Sequence, residues 1–375
     1  MIHQTKYLRE FALIVLCVSF VTPSFSQKLP IAEGYYKVSD GTKIEDIKPD
    51  YPNLFSKEEI IKVGIETNFE RLILFKNDPN YQKGMISIYY GDTVLLSKKM
   101  KIKARGNTRR TICDIPPLKL DVRKSKKKYG WIDKFQNIKL VMTCSERFLY
   151  DQYLLREHLV YKIYNIITDF SYNVRLMDLH LYDTQDVNSV NRQYAFIVEN
   201  DKMLKKRMDL KEKTKDEINA VELSDKLYLN PNPETTNNFN LFALFQLLIG
   251  NTDWGANSFH NVKIFTKGDV LYPVAFDFDY AGIVNANYAV VSNSFPIKKV
   301  TQRYYMGPCS SADQFENAVN KIFEKEAAIY AAIATDPYLS KKSKSDMTDY
   351  VKDFFILLKD EEKRKVFRQM NCSKE

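Results

Sequence analysis

Glycine and proline are both scarce in this sequence, with 12 Gly and 13 Pro among 375 residues. Disordered and fibrous chains are rich in these residues, so their scarcity argues against both classes. Hydrophobic residues make up 45% and aromatic residues 13% of the chain, which is enough apolar material for a large core. At roughly 150 residues per domain, the length corresponds to about two domains.

Long apolar runs are missing beyond the N-terminal region. That region has two early basic residues, Lys6 and Arg9, then an apolar run at 11–21 and small residues just before position 27. This order is typical of a secretory signal peptide. We therefore predict that residues 1–26 are a cleaved signal peptide and that the mature protein is exported, to the periplasm, the cell surface or the medium. No later stretch reaches the roughly 20 apolar residues of a membrane span, so we expect no transmembrane segment after cleavage.

Cysteine and histidine are few, and their spacing excludes a common class of metal site. The mature chain keeps three of the four histidines and four of the five cysteines. The four cysteines are Cys113, Cys144, Cys309 and Cys372. None belongs to a C-x-x-C pair, so we expect no zinc site of the usual Cys/His spacing. An oxidising compartment permits disulfides, and four cysteines allow three pairings.

Acidic residues are fewer than basic ones, 47 against 56, which gives a net charge of +9. A basic surface favours acidic partners such as phosphate, nucleotides or anionic polymers. The sequence contains no nucleic-acid-binding motif, and the chain is predicted to be exported. We therefore do not expect a nucleic acid to be the partner.

Apolar periodicity separates the chain into two halves. The first half alternates in the way that predicts strands, and the second half has the spacing that predicts helices. The predicted strands lie at 71–75, 85–90, 93–96, 118–122 and 138–142, and the predicted helices at 149–167, 237–249, 312–334 and 345–359. The sequence thus predicts an α+β protein with a β-rich N-terminal lobe at 27–200 and a mainly helical C-terminal lobe at 201–375.

Acidic side chains follow the predicted buried helix at 237–249. Asp253 lies in the next loop, Asn261 ends that loop, and a predicted hairpin then leads to Asp277 and Asp279. Carboxylate and amide oxygens are the ligands that Mg²⁺ prefers, with substrate phosphates completing its coordination. Phosphoryl transfer needs these groups and a carboxylate that orients the attacking hydroxyl.

A calcium-binding loop is the main alternative for this segment. Asp277, Asp279 and Gly282 match positions 1, 3 and 6 of such a loop. Position 12, which has to supply a bidentate acid, is Tyr288. We therefore exclude calcium binding of this type.

Four segments of the chain resemble, in order, those of the spore coat protein H (CotH) kinase-like family. The first is Arg105-Gly106-Asn107-Thr108 with Leu118-Lys119-Leu120, which is similar to the family's R-G-N-[ST] turn and its lysine-bearing strand. The others are the helix at 153–159, the strand at 194–199, and the segment at 248–280 with its G-N-x-D, H-N and D-x-D-Y motifs. The resemblance implies a bilobal, atypical protein-kinase-like fold.

The resemblance also implies an exported kinase that transfers a phosphoryl group from ATP, or another nucleotide, to a protein hydroxyl with the help of Mg²⁺. Asp253 is implied to orient the acceptor hydroxyl, and Asn261 and Asp277 are implied to hold Mg²⁺. Lys119 is implied to pair with phosphate and Glu157 to be its helix partner. The remaining residues implied to contact the nucleotide are Arg105, Asn107 and Thr108 in the phosphate-binding turn and Glu199 near the adenine.

A non-catalytic role stays open at this stage. The chain can instead be an envelope or surface binding module that uses a kinase-like scaffold without turnover. The scarcity of ATP outside the cytoplasm favours this alternative. The joint presence of Asp253, Asn261 and Asp277 favours the kinase.

Overall fold

The computed structural model describes residues 34–35, 55, 60–90, 93–122, 138–145, 147–186, 189–214, 216–217 and 232–372. The predicted signal peptide at 1–26 lies outside these residues. The strands are β1 (Gly34–Tyr35), β2 (Ile61–Thr67), β3 (Gln82–Tyr90), β4 (Thr93–Ala104), β5 (Leu118–Val122), β6 (Ile138–Met142), β7 (Val174–Asp183), β8 (Val190–Val198), β9 (Lys211–Glu212), β10 (Val262–Lys267) and β11 (Val270–Ala275). The helices are α1 (Phe69–Leu74), α2 (Thr108–Ile112), α3 (Phe148–Ile167), α4 (Asp201–Met208), α5 (Pro233–Ile249), α6 (Ala312–Phe323), α7 (Glu326–Thr335), α8 (Lys341–Lys359) and α9 (Glu361–Gln369).

Seven strands close into a barrel in the order β4-β3-β2-β7-β8-β6-β5, and β5 pairs back with β4. Closure depends on the 12-residue strand β4, which pairs with β3 along most of its length and with β5 from Met100 to Ala104. All neighbours in this ring are antiparallel except β2 and β7. The predicted bilobal, atypical protein-kinase-like fold is therefore wrong, because the β-rich part closes on itself as a barrel with helices packed outside it.

The two faces of the barrel wall have different chemistry. Inward-pointing side chains such as Leu118, Leu120 and Leu140 form a closed aliphatic core inside the ring. The outward-pointing positions between them carry Lys119 and Lys139, which lie directly opposite each other on β5 and β6. Alternate side chains of β5 thus point into the barrel core, and the side chains between them place a cation on the outer face.

Helix α3 packs against the outer face of the barrel and is buried almost all around. Its neighbours include β8, α5 and α7. Burial extends to three consecutive polar residues, Arg156, Glu157 and His158. A helix covered on all sides presents no polar stripe to solvent, so charged residues within it need partners from the surrounding elements.

The strand predicted at 71–75 is wrong, because this segment belongs to helix α1. The side chain of Asn68 accepts a hydrogen bond from the N–H of Arg71 and caps the helix at 2.7 Å. Phe69 and Leu72 are buried whereas Leu74 is exposed. Burial at a spacing of three is helical, and a short apolar run does not separate the two interpretations.

Two disulfides settle the pairing that the sequence left open. Cys113 is bonded to Cys144, and Cys309 is bonded to Cys372. The first bond ties the end of α2 to the segment after β6, and the second ties the segment before α6 to the end of α9. Within the described residues, no helix combines the length and apolar character needed to cross a membrane.

Candidate functional site

Helix α5 ends at Gly250, and the loop that follows it carries the predicted catalytic carboxylate. Gly250 has a φ of 65°, and a Cβ there would lie 1.9 Å from the hydroxyl oxygen of Tyr350, so this turn requires glycine. The side chain of Asn251 then accepts a hydrogen bond from the N–H of Asp253 at 2.9 Å. This turn fixes the direction in which Asp253 leaves the helix.

Asp253, His260 and Asn261 form what we call the open cluster. One carboxylate oxygen of Asp253 lies 2.9 Å from Nε2 of His260, and the other accepts a hydrogen bond from the Asn261 amide at 3.0 Å. The same amide also donates to the backbone oxygen of Asp253 at 2.8 Å. The side chains of Asp253 and His260 are 38% and 57% exposed, so a ligand can reach this carboxylate.

Asp277 follows β11 and lies beside the open cluster. The N–H of Phe276 donates to the backbone oxygen of Asn261 at 3.1 Å, which brings the two segments together. Asp277 has a φ of 65°, and its N–H donates to the hydroxyl of Tyr161 at 2.9 Å. A non-glycine residue at positive φ costs conformational free energy, and such strain occurs often at functional sites.

The donor set of Asn261 and Asp277 fits a hard cation. Because the Asn261 amide nitrogen is bonded to Asp253, its amide oxygen faces away from that carboxylate. In the part of the chain that the structure describes, the Asp277 carboxylate accepts no hydrogen bond, and no three Asp, Glu, His or Cys side chains are grouped closely enough to hold a metal. A Mg²⁺ ion held by Asn261 and Asp277 would thus need ligand oxygens from a bound phosphate or water.

Two cations from the barrel lie near Asp277. Burial lowers the pKa of Arg105, and the negative charge of Asp277 opposes that effect. Solvent reaches the side chain of Lys139, yet partial burial and then the positive charge of Arg105 lower the pKa of its amine. The Lys139 amine lies 5.1 Å from the centre of the Phe276 ring, next to Asp277. Two positive charges that influence each other in this way favour an anionic ligand near them.

Arg109, Glu157 and Asp279 form what we call the buried cluster. Arg109 lies 3.5 Å from a carboxylate oxygen of Glu157 and 3.9 Å from one of Asp279. These side chains are 12%, 2% and 8% exposed, respectively. One guanidinium therefore faces two carboxyl groups that water reaches only slightly, and its single charge cannot balance both of them when they are ionised.

The protonation of the buried cluster follows from this imbalance. Burial, and then the charge of Asp279, raises the pKa of Glu157 well above its usual range although Arg109 opposes the shift. Burial, and then the charge of Asp277, raises the pKa of Asp279 to about 6. Burial alone would lower the pKa of Arg109, but Tyr288 and the two carboxylates outweigh it, so the guanidinium stays charged.

The disulfide between Cys113 and Cys144 holds Arg109 in this position. Arg109 lies in the short helix α2, which Cys113 ends. Its guanidinium also donates to the backbone oxygen of Met142 at the end of β6. The disulfide and this hydrogen bond connect the same two segments, so the arginine is fixed from both sides.

Several residues expected from the sequence do meet at this site. Asp253, Asn261, Asp277, Glu157 and Arg105 lie around it as described above. Thr108 also lies there, because its side chain interacts with the hydroxyl of Tyr280. Asn107, one residue earlier, is exposed and makes no capping hydrogen bond to α2.

Lys119 and Glu199 have contacts that differ from those implied by the resemblance. Lys119 lies between Lys103 and Lys139 in the barrel register, and the ion pair of Glu157 is with Arg109. Glu199 is buried and accepts hydrogen bonds from Nε and one terminal nitrogen of the Arg207 guanidinium, at 3.2 and 2.9 Å. It also accepts one from the N–H of Asn173 at 3.1 Å, so both of its oxygens already have partners within the fold.

Sequence reasoning did not find Arg109, Lys139 or the buried role of Asp279. Arg109 lies in the pair Arg109-Arg110 just after the R-G-N-[ST] turn, and that pair was the available signal. Lys139 is a lysine in an otherwise apolar strand, Ile138 to Met142, which was also visible. The sequence does not reveal that Asp279 points into the protein.

Comparison with known proteins finds a distant structural similarity. No family model matches the chain and no curated protein matches it, so the resemblance to the CotH family stays a prediction. Among solved structures, the proinflammatory kinase CtkA from Helicobacter pylori is similar at 11% identity and a TM-score of 0.40. The similarity covers 72% of this chain and 93% of that chain. A distant structural neighbour is thus a kinase.

Proposed function

We propose that this protein is an exported, Mg²⁺-dependent phosphotransferase that moves a phosphoryl group from a nucleotide such as ATP to a hydroxyl of a protein. One observation carries the proposal: the side chains of Asp253 and Asn261 are hydrogen-bonded to each other beside the free carboxylate of Asp277. Arg105 and Lys139 add positive charge on the barrel side. An open carboxylate, a hard-cation donor pair and flanking cations are what phosphoryl transfer requires.

Each residue has a defined task in this scheme. Asn261 and Asp277 would hold Mg²⁺, which supplies charge neutralisation on the nucleotide phosphates when it is bound. Arg105 and Lys139 stabilise negative charge on the transferred group. The acceptor oxygen attacks the terminal phosphorus, the bond to the leaving phosphate breaks, and Asp253 accepts the hydrogen bond and proton of the acceptor hydroxyl. His260 and Asn261 orient the Asp253 carboxylate from its two oxygens.

A binding module without turnover is the second candidate. It is favoured by the Arg109 guanidinium, which is already paired with Glu157 and Asp279 at the back of the site. Since Asp279 is the second carboxylate of the D-x-D-Y motif, its pairing leaves a single free carboxylate, Asp277, for a metal. The same surface can then bind an anionic ligand without transferring a group.

The first experiment measures thermal unfolding of residues 27–375 with and without millimolar Mg²⁺ and ATP. We expect an upward shift of several degrees, since a ligand at about 100 times its Kd adds about 2.7 kcal/mol to the free energy of unfolding. The shift should vanish in Asp277→Asn, because asparagine tolerates positive φ but lacks the charge. Asp269→Asn, in an exposed turn, is the matched control and should keep the shift.

Phosphoryl transfer distinguishes the two candidates. Asp253→Asn should keep the Mg²⁺–ATP shift but lower the rate of transfer to a protein acceptor by about 10²–10⁴-fold, because the base is lost and the nucleotide site is not. A wild-type shift without any transfer would support the binding module. No shift in the wild type would overturn the phosphotransferase.

A further inference from the structure

A cavity of about 890 Å³ lies in the segment that follows the D-x-D-Y motif. We propose that it docks an acidic segment of a polypeptide, which is the acceptor of the transferred phosphoryl group. This inference rests on the proposed phosphotransferase activity, since it names the chemistry of the acceptor. The cavity is lined by consecutive stretches of one loop at 285–301.

The two ends of this loop are held at one point. The hydroxyl of Tyr350 on α8 donates to the backbone oxygen of Thr301 at 3.1 Å. A Cβ on Gly282 would lie 2.4 Å from that same hydroxyl, and the N–H of Gly282 donates to the oxygen of Gly250 at 3.0 Å. With both ends fixed against the core, the cavity exists before a ligand arrives, which lowers the entropic cost of binding.

The charge of the lining selects an anionic partner. Lys298 and Lys299 line the cavity, and no Asp or Glu is among its lining residues. Their backbone N–H groups donate to the side chain of Gln302 at 2.7 and 3.0 Å, which fixes the positions where the two side chains leave the loop. Both lysines are exposed, and within the described residues neither ammonium group has an ion-pair partner. Two exposed cations in a lining without acidic residues are complementary to carboxylates.

The rest of the lining fits a polypeptide better than a small anion. Apolar side chains, among them Val290, Phe295 and Ile297, are interspersed with the amides of Asn285 and Asn293. An amide offers both a donor and an acceptor, as the backbone of an extended chain does. Apolar surface gives a neighbouring side chain a place to pack, which a free phosphate would not use.

The loop is continuous with the catalytic groups. Tyr288 lies between lining residues Asn287 and Ala289, and the centre of its ring lies 6.2 Å from that of Tyr280, which follows Asp279 in the D-x-D-Y motif. Asp279 is two residues beyond the proposed metal ligand Asp277. A polypeptide bound along this loop would therefore lie next to a segment that contacts the D-x-D-Y motif.

The experiment measures binding of two fluorescein-labelled peptides to the full mature chain by fluorescence anisotropy. Both peptides share one Ser and the same apolar residues, and the Ser is flanked by Glu in one and by Lys in the other. We expect the Glu peptide to bind the wild type on the order of ten-fold more tightly. Lys298→Glu combined with Lys299→Glu should reverse that preference and leave the Mg²⁺–ATP thermal shift unchanged.

A control is needed because the whole chain is basic and attracts acidic peptides from a distance. Lys341→Glu combined with Lys352→Glu makes the same change in net charge at exposed positions of α8, outside the cavity. This control should keep the preference for the Glu peptide. An equal loss in both double variants would overturn the inference, because it would show that net charge alone attracts the peptide.

The remaining outcomes separate this inference from the proposed function. An intact Mg²⁺–ATP shift with equal binding of the two peptides would overturn the acidic docking site and leave the phosphotransferase standing. Peptide binding that reverses as expected, without a Mg²⁺–ATP shift, would overturn the phosphotransferase and with it the assignment of the peptide as acceptor. Preference, reversal and faster phosphorylation of the Glu peptide together would support both.

Discussion

The buried cluster and the open cluster contain the same kinds of side chain in opposite environments. Glu157 and Asp279 are 2% and 8% exposed and share the cation of Arg109. Asp253 is 38% exposed, and among the described residues its carboxylate is hydrogen-bonded to His260 and Asn261 of its own loop. The carboxylates are chemically similar, so the difference between them comes from their surroundings.

This difference separates structural groups from reactive ones. A carboxylate in the buried cluster cannot receive a substrate without breaking an ion pair that water cannot replace. A carboxylate in the open cluster keeps lone pairs that face solvent. We infer that the buried cluster holds α2 against α3, while Asp253 and Asp277 meet the ligand.

Removing the shared cation should have the largest effect on stability. Arg109→Met leaves Glu157 and Asp279 buried next to each other with no positive partner. We expect a loss of about 3–5 kcal/mol in the free energy of unfolding, the usual cost of breaking a buried ion pair by removing one partner. Urea denaturation at neutral pH measures it.

The matched control is an arginine in an exposed ion pair. Arg192 is 70% exposed and is paired with Asp178 at 2.8 Å. Arg192→Met should cost no more than about 1 kcal/mol. If the two variants lose similar amounts, Arg109 is not the shared counter-ion of the buried cluster.

The two disulfides give the next largest effect. Cys113→Ser with Cys144→Ser opens a loop with a sequence separation of 31, and Cys309→Ser with Cys372→Ser opens one of 63. Chain entropy predicts a cost of about 4 kcal/mol for each bond, slightly larger for the longer loop. Urea denaturation of the two double variants measures both costs.

Of the two disulfides, the bond between Cys113 and Cys144 adjoins the site. Nucleotide binding should therefore distinguish the effects of removing each bond. Loss of the bond between Cys113 and Cys144 frees α2 and should weaken Mg²⁺–ATP binding as well as stability. Loss of the bond between Cys309 and Cys372 should lower stability alone. Equal Kd values for Mg²⁺–ATP in the two double variants would contradict a role for the first disulfide in positioning Arg109.

Local patterns predicted much of the secondary structure but not how the strands associate. The alternation around Leu118 and Leu120 identified β5 and which of its faces is apolar, and the buried helix predicted at 237–249 lies within α5. Barrel closure depends on β4 pairing with β5, a contact between segments whose sequences look the same in an open sheet or a closed one. The resemblance to a kinase-like family implied a bilobal fold, and that prediction was wrong.

The site shows the same limit. The motifs indicated Asp253, Asn261 and Asp277 because all three lie within one stretch of the chain. Arg109 and Glu157 are 48 residues apart, and only the packing of α2 against α3 brings them together. Identification of Lys119 as the phosphate lysine rested on its motif, whereas Lys139 lies near Asp277 because of the barrel register.

A pH series tests how far burial extends along α3. Burial, and then the charge of Lys162, lowers the pKa of His158 to about 3. Below about pH 6.5, the ordinary pKa of histidine, His158 binds a proton in the unfolded chain but not in the folded protein. Stability from this group therefore falls by about 1.4 kcal/mol per pH unit as the pH drops from about 6 to 4.

Substitution isolates the contribution of His158 from the carboxyl groups. In His158→Leu the proton uptake is gone, so its free energy of unfolding should depend less steeply on pH than that of the wild type. The raised pKa values of Glu157 and Asp279 act in the opposite direction, but they are present in both proteins and cancel in the difference. Parallel curves would mean that His158 is protonated in the folded protein and that this part of α3 is open to water.

The smallest expected effect is the change in Kd for Mg²⁺–ATP when either lysine on the outer face of the barrel is replaced. The charges of Arg105 and Asp277 act on Lys139, whereas Lys119 lies opposite Lys139 on the neighbouring strand β5. Lys139→Met should raise the Kd for Mg²⁺–ATP by about ten-fold, which corresponds to about 1.4 kcal/mol, and Lys119→Met should raise it less. Isothermal titration calorimetry measures both. A larger effect at Lys119 would restore the assignment made from its motif, and it would show that the phosphates lie toward β5 and away from Asp277.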